Sequence, residues 1–305
     1  MSLLTTGIVQ EFLTTHQTHT PAPYVYSYQV VLSAVGTNTF IVPANCASIG
    51  FGLIGGGSAG IGVTDVSGLG AAIFPGGGGG GYAYSLLTVS GGTLTQTAYT
   101  YNIGEGGDKN AVAVFQPIPS VVTYYGKSGG TTWFGNVGSN LDTALIRAGG
   151  GGGSSGAPPN NPTNLGGGDS LNGGGLANVG QITYVGGVGA LGTNVGVKKT
   201  GGGGGGAASG GTGNAGANND GLGNWASGGT AQVGGGGTGG LGFWIENNIV
   251  NGKIGGSGTD GIVYGGGGGG CGRYSAFGAP ASMRGGSGAQ GLIFLDITIS
   301  VPYFI

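Results

Sequence analysis

The sequence has little charge of either sign. Only 6% of its 305 residues are Asp, Glu, Lys or Arg, and the net charge is −2. The first basic residue is Lys109, so the chain has no basic patch of the kind that binds nucleic acid and no early positive charge typical of a secretory signal. No apolar stretch approaches the length of a membrane span. We therefore expect no nucleic-acid partner and no membrane insertion.

Cysteine and histidine are nearly absent, which restricts the chemistry open to the chain. Cys46 and Cys271 are more typical of small buried side chains than of a disulfide, although the sequence leaves both open. Two segments, Gly56–Gly60 and Gly152–Gly156, match the G-x-S-x-G motif of serine hydrolases. His16 and His19 precede both of them, whereas a hydrolase of that type needs its histidine after the serine. Residues 255–263 match one calcium-binding nonapeptide, but a single copy cannot share ligands with a neighbouring turn. We expect no enzyme activity, no cofactor and no metal.

Glycine is the residue in excess, with 83 of 305 positions, many in uninterrupted runs such as 76–81, 201–206 and 265–270. Such runs oppose folding unless the structure requires a missing side chain, because glycine loses the most backbone freedom. A collagen triple helix is excluded, because the chain has only 11 prolines and lacks a Gly-X-Y period. The low charge, and the apolar residues that end the runs, favour an ordered chain over a flexible linker.

The sequence predicts four regions and a mainly β fold. Residues 1–23 are polar and nearly free of glycine, which suggests an attachment peptide or a frayed terminus. Short aromatic and β-branched runs predict an antiparallel β-sandwich or barrel-like base over 24–148. Over 149–290 we expect a packed bundle of glycine-rich, polyproline-II-like helices with variable loops. Residues 291–305 should form a C-terminal strand that returns to the base and pairs with it.

A fixed order of strand and glycine segments runs along the chain: Phe40–Ala44, Ile49–Gly57, Gly76–Ala83, Leu86–Val89, Tyr99–Gly107, Gly129–Gly135, Ala148–Gly153 and Gly285–Phe294. In this order the segments resemble the glycine-rich domain of bacteriophage tail fibres, tail spikes and tip adhesins. The resemblance covers roughly residues 38–299. The middle region is also similar in style to the distal long-tail-fibre adhesins of T-even-type phages, in which glycine helices form a sandwich and variable loops at its tip touch the host.

This resemblance implies a virion protein of the tail fibre or tail tip, made in the host cytoplasm. It would bind other virion proteins through its N-terminal region and a bacterial surface protein or glycan through its loops, as a homo-trimer or a monomer. The alternative is a structural virion fibre or decoration protein that contacts virion proteins only. An ice-binding role is a third alternative, which the bulky segment 243–254 disfavours.

Two groups of residues follow as candidate sites. Receptor specificity should lie between the glycine helices, since glycine offers no side chain to recognise a target, and exposed aromatic and basic residues are frequent binding anchors. The predicted receptor-binding residues are Tyr184, Lys198, Lys199, Trp225, Phe243, Trp244, Arg273, Tyr274 and Phe277. The predicted virion-attachment residues are Ile8, Val9, Phe12 and Leu13.

Overall fold

The computed structural model has a mainly β architecture. No α-helix lies within the residues that it describes, and none of their helical segments is long and apolar enough to cross a membrane. The described residues are 23–60, 62–65, 72–73, 76–89, 92–109, 112–117, 120–136, 141–152, 178–189, 204–216, 230, 255–256, 260–262, 264–269, 272–273 and 281–302.

Sixteen strands and one 3-10 turn, Leu141–Thr143, make up the regular structure of the described residues. In chain order the strands are β1 (Tyr24–Leu32), β2 (Gly36–Ile41), β3 (Cys46–Ile54), β4 (Gly62–Asp65), β5 (Ala72–Ile73), β6 (Tyr82–Thr88), β7 (Ala98–Ile103), β8 (Val112–Pro117), β9 (Ser120–Tyr125), β10 (Thr132–Phe134), β11 (Ile146–Ala148), β12 (Ile182–Tyr184), β13 (Gly255–Gly256), β14 (Gly272–Arg273), β15 (Ala281–Met283) and β16 (Leu292–Val301).

Two antiparallel sheets pack face to face as a β-sandwich. The five-stranded sheet has the order β1-β16-β3-β6-β12, and the four-stranded sheet has the order β11-β10-β7-β2. Their inner faces share one apolar core, in which the rings of Phe51 and Phe134 lie 4.1 Å apart. The C-terminal strand β16 lies between β1 and β3, so the two ends of the described chain meet in one sheet.

The alternation of side chains along β16 explains its central position. Ile293, Leu295 and Ile297 are buried in the core, while Asp296 points outward and accepts a hydrogen bond from Gln29 Nε2 at 2.9 Å. Successive side chains of a strand point to opposite faces, so this period of two places one apolar row against the second sheet. Burial of that row contributes roughly 1.5–3 kcal/mol for each large side chain.

Below the sandwich, glycine-rich segments form what we call the glycine array. They are not paired as strands, but backbone hydrogen bonds of 2.7 to 3.0 Å join each one to at least one other segment, and most of them to several. The members of the array come from distant parts of the sequence: 55–60, 76–81, 104–107, 127–130, 149–152, 185–189, 204–207, 213–216, 260–262, 265–269 and 286–291.

The segment 55–60 is surrounded by six others. From Gly55 to Gly60 its N–H groups donate in turn to the carbonyl oxygens of Gly81, Gly130, Ala289, Gly78, Lys127 and Gly286. Every third residue therefore returns to the same neighbouring segment. The carbonyl oxygens of this segment accept hydrogen bonds from three further segments, through the N–H groups of Gly151, Gly107 and Gly268.

Lack of space, rather than an unusual backbone angle, makes glycine necessary in most of the array. A Cβ atom added to Gly57 would lie 2.1 Å from the carbonyl oxygen of Gly266, and one added to Gly80 would lie 1.9 Å from that of Gly55. Within the described array only Gly265 has a positive φ, of 73°. The Cα–H groups thus point at carbonyl oxygens of the next segment, a contact that adds weak attraction.

The array segments run between a near end at the sandwich and a far end away from it. Segment 55–60 continues directly from β3, and segment 76–81 leads directly into β6. Gly55 donates to Gly81 at 2.9 Å near the sandwich, whereas Gly60 donates to Gly286 at 2.9 Å away from it. The chain therefore passes out through the array and returns, so that several connections between array segments begin and end at the far end.

Two small sheets assemble from these connections. One has the order β15-β4-β9-β8 and the other has the order β13-β14-β5. Strand β4 begins two residues after Gly60, and it pairs with β9, which ends just before the return segment 127–130. Strands from three separate connections are thus hydrogen-bonded at the far end.

The sequence predicted a base over 24–148 and a glycine bundle over 149–290. In the structure, array segments occur on both sides of residue 149. Segments on both sides of residue 149 are hydrogen-bonded to one another, as in the bond from Gly268 to Ser58 at 2.8 Å. The composition changes near residue 149, yet the first half supplies the segment at the centre of the array. The C-terminal strand, expected to pair with the base, lies between β1 and β3.

Candidate functional site

The far end of the array gathers connections that are distant in sequence. Gly60, just before the connection 61–75, donates to Gly286 at 2.9 Å, and Gly286 donates to Gly269 at 2.7 Å. The start of the connection 61–75 therefore lies beside both ends of the connection 270–285. Gly204 donates to Gly77 at 2.9 Å, which places the end of the connection 190–203 beside them.

The long connection 217–259 is attached at the same end. At its start, Gly216 donates to Val188 at 2.9 Å, next to the outgoing end of segment 185–189. At its finish, the carboxylate of Asp260 accepts a hydrogen bond from the N–H of Ser287 at 2.7 Å. Both attachment points are held by the array.

All of the predicted receptor-binding residues except Tyr184 belong to connections attached at the far end. Lys198 and Lys199 fall in 190–203, and Trp225, Phe243 and Trp244 fall in 217–259. Arg273, Tyr274 and Phe277 fall in 270–285. Apart from Arg273, these residues lie outside the described residues.

Arg273 is described through its backbone. It belongs to β14 and lies opposite Gly255 of β13 on one side and Ala72 of β5 on the other. This pairing joins three connections in one small sheet. The array therefore brings the polypeptide around Arg273 together with two segments that the sequence did not associate with it.

Tyr184 lies in the sandwich, whereas the connections that contain the other predicted contact residues are attached at the far end of the array. It lies at the end of β12, opposite Tyr82 of β6, in the five-stranded sheet of the sandwich. Its ring stacks on that of Tyr82 at 6.0 Å, and Tyr82 also stacks on Phe294 at 6.2 Å. Its contribution to receptor binding stays a prediction, but its position is at the near end.

Among the described residues, Tyr82, whose ring stacks on that of Tyr184, has the largest resolved pKa shift. Burial raises the pKa of Tyr82 to about 12, with smaller contributions from Tyr84, Tyr184 and Asp296. The phenol therefore keeps its proton at neutral pH and packs as an aromatic ring. This arrangement supports a structural role for the cluster.

Two ion pairs brace the far half of the array. Lys109 Nζ lies 2.9 Å from Asp260 Oδ1, and Lys127 Nζ pairs with Glu105 Oε1 on the adjacent segment. All four side chains are at least partly exposed, so each pair contributes little stability.

The nonapeptide over 255–263 includes Asp260, whose carboxylate is engaged by Lys109 and by the N–H of Ser287. Among the described residues there is no group of three or more His, Cys, Asp or Glu side chains that could hold a metal ion. Asp260 therefore acts in this structure as an anchor for the end of the connection 217–259.

The remaining candidate residues are placed as follows. Cys46 is a buried free thiol at the start of β3, and desolvation raises its pKa. Cys271 lies outside the described residues. The predicted virion-attachment residues Ile8, Val9, Phe12 and Leu13 also lie outside them.

Sequence reasoning missed two features that the structure brings out. One is strand β8, Val112–Pro117: its apolar run Val112–Phe115 could have signalled a strand, and β8 pairs with β9 at the far end. The row Tyr24, Tyr26 and Tyr28 on β1 was recognised only as part of a strand, but all three rings are exposed.

Comparison with known proteins does not identify a relative: no family model matches the chain, and no curated protein is significantly similar to it.

Proposed function

We propose that this chain is a bacteriophage virion protein, a tail fibre or tail tip adhesin that binds a bacterial surface receptor. The observation that carries the proposal is the attachment of several sequence-distant connections at one end of a densely hydrogen-bonded array. Those connections contain Trp, Tyr, Phe, Lys and Arg residues in a chain that has few charges. A binding surface built from them is the simplest use of this architecture.

The scaffold in this proposal is a bundle of polyproline-II-like glycine helices. Such a helix has three residues per turn and no internal hydrogen bonds, so each residue of a turn faces a different neighbour. The donors of segment 55–60 follow that rule, because Gly55 and Ser58 both bond to segment 76–81. The next two pairs of donors repeat the pattern toward two other segments.

A bundle of this kind favours binding through its connections. Because each end of a connection is fixed by backbone hydrogen bonds, less conformational entropy is lost when the connection engages a target. Aromatic and Arg side chains then supply most of the binding free energy. A receptor of either class, an outer-surface protein or a glycan, is compatible with stacking and hydrogen bonding by Trp and Tyr.

The positions of the two ends of the molecule support the proposed location in the virion. The described chain starts at Pro23 beside β1 in the sandwich, whereas the connections with the predicted contact residues are attached at the opposite end. An N-terminal region that binds other virion proteins would therefore leave the far end directed at the host cell. In this arrangement Ile8, Val9, Phe12 and Leu13 supply the apolar contacts to the virion.

Adsorption measurements on single alanine variants test the proposal. Trp225→Ala, Trp244→Ala, Tyr274→Ala and Phe277→Ala should each reduce binding of the purified protein to host cells, by roughly tenfold or more for a true anchor. Their thermal stability should stay close to that of the original protein.

The matched control is Ile182→Ala, which truncates an exposed apolar side chain at the near end. It should leave adsorption unchanged. Unaltered adsorption in all four far-end variants would remove these connections from the receptor site. Absence of any binding to host cells, together with normal incorporation into particles, would favour the structural virion protein instead.

A further inference from the structure

Strand β1 forms an exposed apolar edge of the sandwich. It pairs with β16 on one side, and it is the outermost strand of the five-stranded sheet. Tyr24, Tyr26 and Tyr28 lie on one face with their rings 5.8 and 6.3 Å apart, and Val25 and Val31 lie on the other face, each more than half exposed. Within the part of the chain that the structure describes, this nine-residue strand thus presents both its apolar side chains and an unpaired backbone edge.

This edge lacks the features that usually keep sheet edges apart. Soluble proteins protect such edges with lysine, proline, bulges or very short strands. No Asp, Glu, Lys or Arg occurs anywhere in residues 12–64, and β1 contains no proline. The pairing of β1 with β16 is regular over all nine residues, without a bulge. Such an edge favours pairing with a further strand.

The pattern of β1 is self-complementary about its central residue, Tyr28. In an antiparallel pair of two copies over the full strand, Tyr28 would oppose Tyr28 of the second copy, and Ser27 would oppose Gln29. Val25 would oppose Val31, while the remaining pairs would join Tyr to Val or Leu. Apolar residues thus meet apolar residues and polar residues meet polar ones, with no charge to repel the second copy.

We propose that β1 is a homodimer interface, in which it pairs antiparallel with β1 of a second copy about a two-fold axis through Tyr28. An interface of this type is isologous, because the same strand contributes from both copies. It would join the two five-stranded sheets into one continuous sheet. The two-fold arrangement differs from the monomer or trimer expected from the sequence, and it is independent of receptor binding.

A charge-swap series on the full chain tests both the pairing and its register, with sedimentation velocity giving the dimer dissociation constant. Val25→Glu and Val31→Lys should each weaken the dimer by about tenfold or more, since each places a charge opposite a valine twice per dimer. The double variant Val25→Glu/Val31→Lys should recover most of the affinity, because opposite charges then face each other across the two copies.

The control is Ile182→Lys, which introduces the same charge at the other edge strand of the sheet and should leave the dimer unchanged. A crosslinking pair checks the register independently. Tyr28→Cys should form a disulfide-linked dimer, whereas Tyr24→Cys, opposite Leu32 in this register, should not.

Three results would overturn the proposal. The first is a monomer or a trimer at every concentration tested. The second is a dimer that none of the β1 variants affects. The third is a full chain that stays monomeric but dimerises when residues 1–22 are removed, which would mean that the chain's own N-terminal segment covers β1. Each variant should keep the fold of the original protein, as judged by its circular dichroism spectrum, because the substituted side chains are exposed in the single chain.

Discussion

Individual residues in the array are selected by the carbonyl oxygens that face them. Ser58 and Ala59 interrupt the central segment 55–60 and are completely buried, which shows that two small side chains fit where the neighbours leave room. The Ser58 hydroxyl donates to the carbonyl oxygen of Gly78 at 3.3 Å, so its polarity is satisfied. The array therefore requires glycine at particular positions and not throughout.

The first prediction concerns Gly57, at the centre of the array. A Cβ at this position would lie 2.1 Å from the carbonyl oxygen of Gly266, which belongs to backbone and cannot move alone. Gly57→Ala should therefore reduce the free energy of unfolding by about 3 kcal/mol or more, at the upper end of overpacking costs. Chemical denaturation measures this loss.

Gly92→Ala is the control for that substitution. Its Cβ would meet no atom within 4 Å, but its φ of 72° is left-handed, so only backbone strain of about 1–2 kcal/mol is expected. Equal losses of unfolding free energy in the two variants would mean that the array has room for a side chain at Gly57. Glycine would then be needed there only for its backbone conformation.

The second prediction follows from the raised pKa of Tyr82. The unfolded chain releases the phenol proton near pH 10, whereas the folded protein holds it until about pH 12. The stabilisation is therefore complete below pH 10 and is lost as the pH rises from 10 toward 12, by up to roughly 2–3 kcal/mol.

Stability measured between pH 9 and pH 12 tests this sign. Tyr82→Phe should lose less stability over the interval than the original protein, because it has no phenol proton to release. A Tyr82→Phe profile identical to the original one would contradict the prediction.

At the scale of elements, the junction between sandwich and array depends on one buried hydroxyl. Thr132, the first residue of β10, donates from Oγ1 to the carbonyl oxygen of Ile54 at 2.7 Å. The same hydroxyl accepts a hydrogen bond from the N–H of Gly104 at 3.1 Å. It thus connects the point where β3 ends with the point where β7 passes into the array.

The third prediction is that Thr132→Val destabilises the protein by about 1–3 kcal/mol, because the N–H of Gly104 would be buried without an acceptor. The change should appear in the midpoint of urea unfolding with an unchanged slope. Thr132→Ser retains the hydroxyl and should lose less stability than Thr132→Val. The opposite order would show that the methyl group, and not the hydrogen bonds, holds the junction.

At the scale of the whole molecule, the sandwich lies at one end of the array and the far-end connections are attached at the other. The fourth prediction uses this separation. Deletion of residues 1–22 leaves β1 intact, so the thermal stability of the protein should be preserved. Under the proposed function, the truncated protein should still adsorb to host cells but fail to enter virus particles. Its presence in particles at the normal level would refute an N-terminal attachment peptide.

Much of the sandwich could be predicted from the sequence alone. The alternating apolar and aromatic residues over 24–33, 47–54 and 82–89 correspond to β1, β3 and β6, with ends that differ by one residue. Residues 143–148, whose apolar run also indicates a strand, form a shorter one, because Leu141–Thr143 is a 3-10 turn and β11 starts at Ile146. A period of two in local sequence is enough to specify a half-buried strand.

The sequence by itself also determined that glycine runs meet where side chains cannot fit, since nothing else justifies their entropic cost. Only the tertiary structure decided which runs are neighbours, that 55–60 is central, and that Tyr184 lies apart from the far-end connections. The physical reason is that the array is held by backbone groups, and one glycine N–H is chemically the same as another. The partners of each array segment are selected by the sandwich strands, which fix where the segment begins and in which direction it runs.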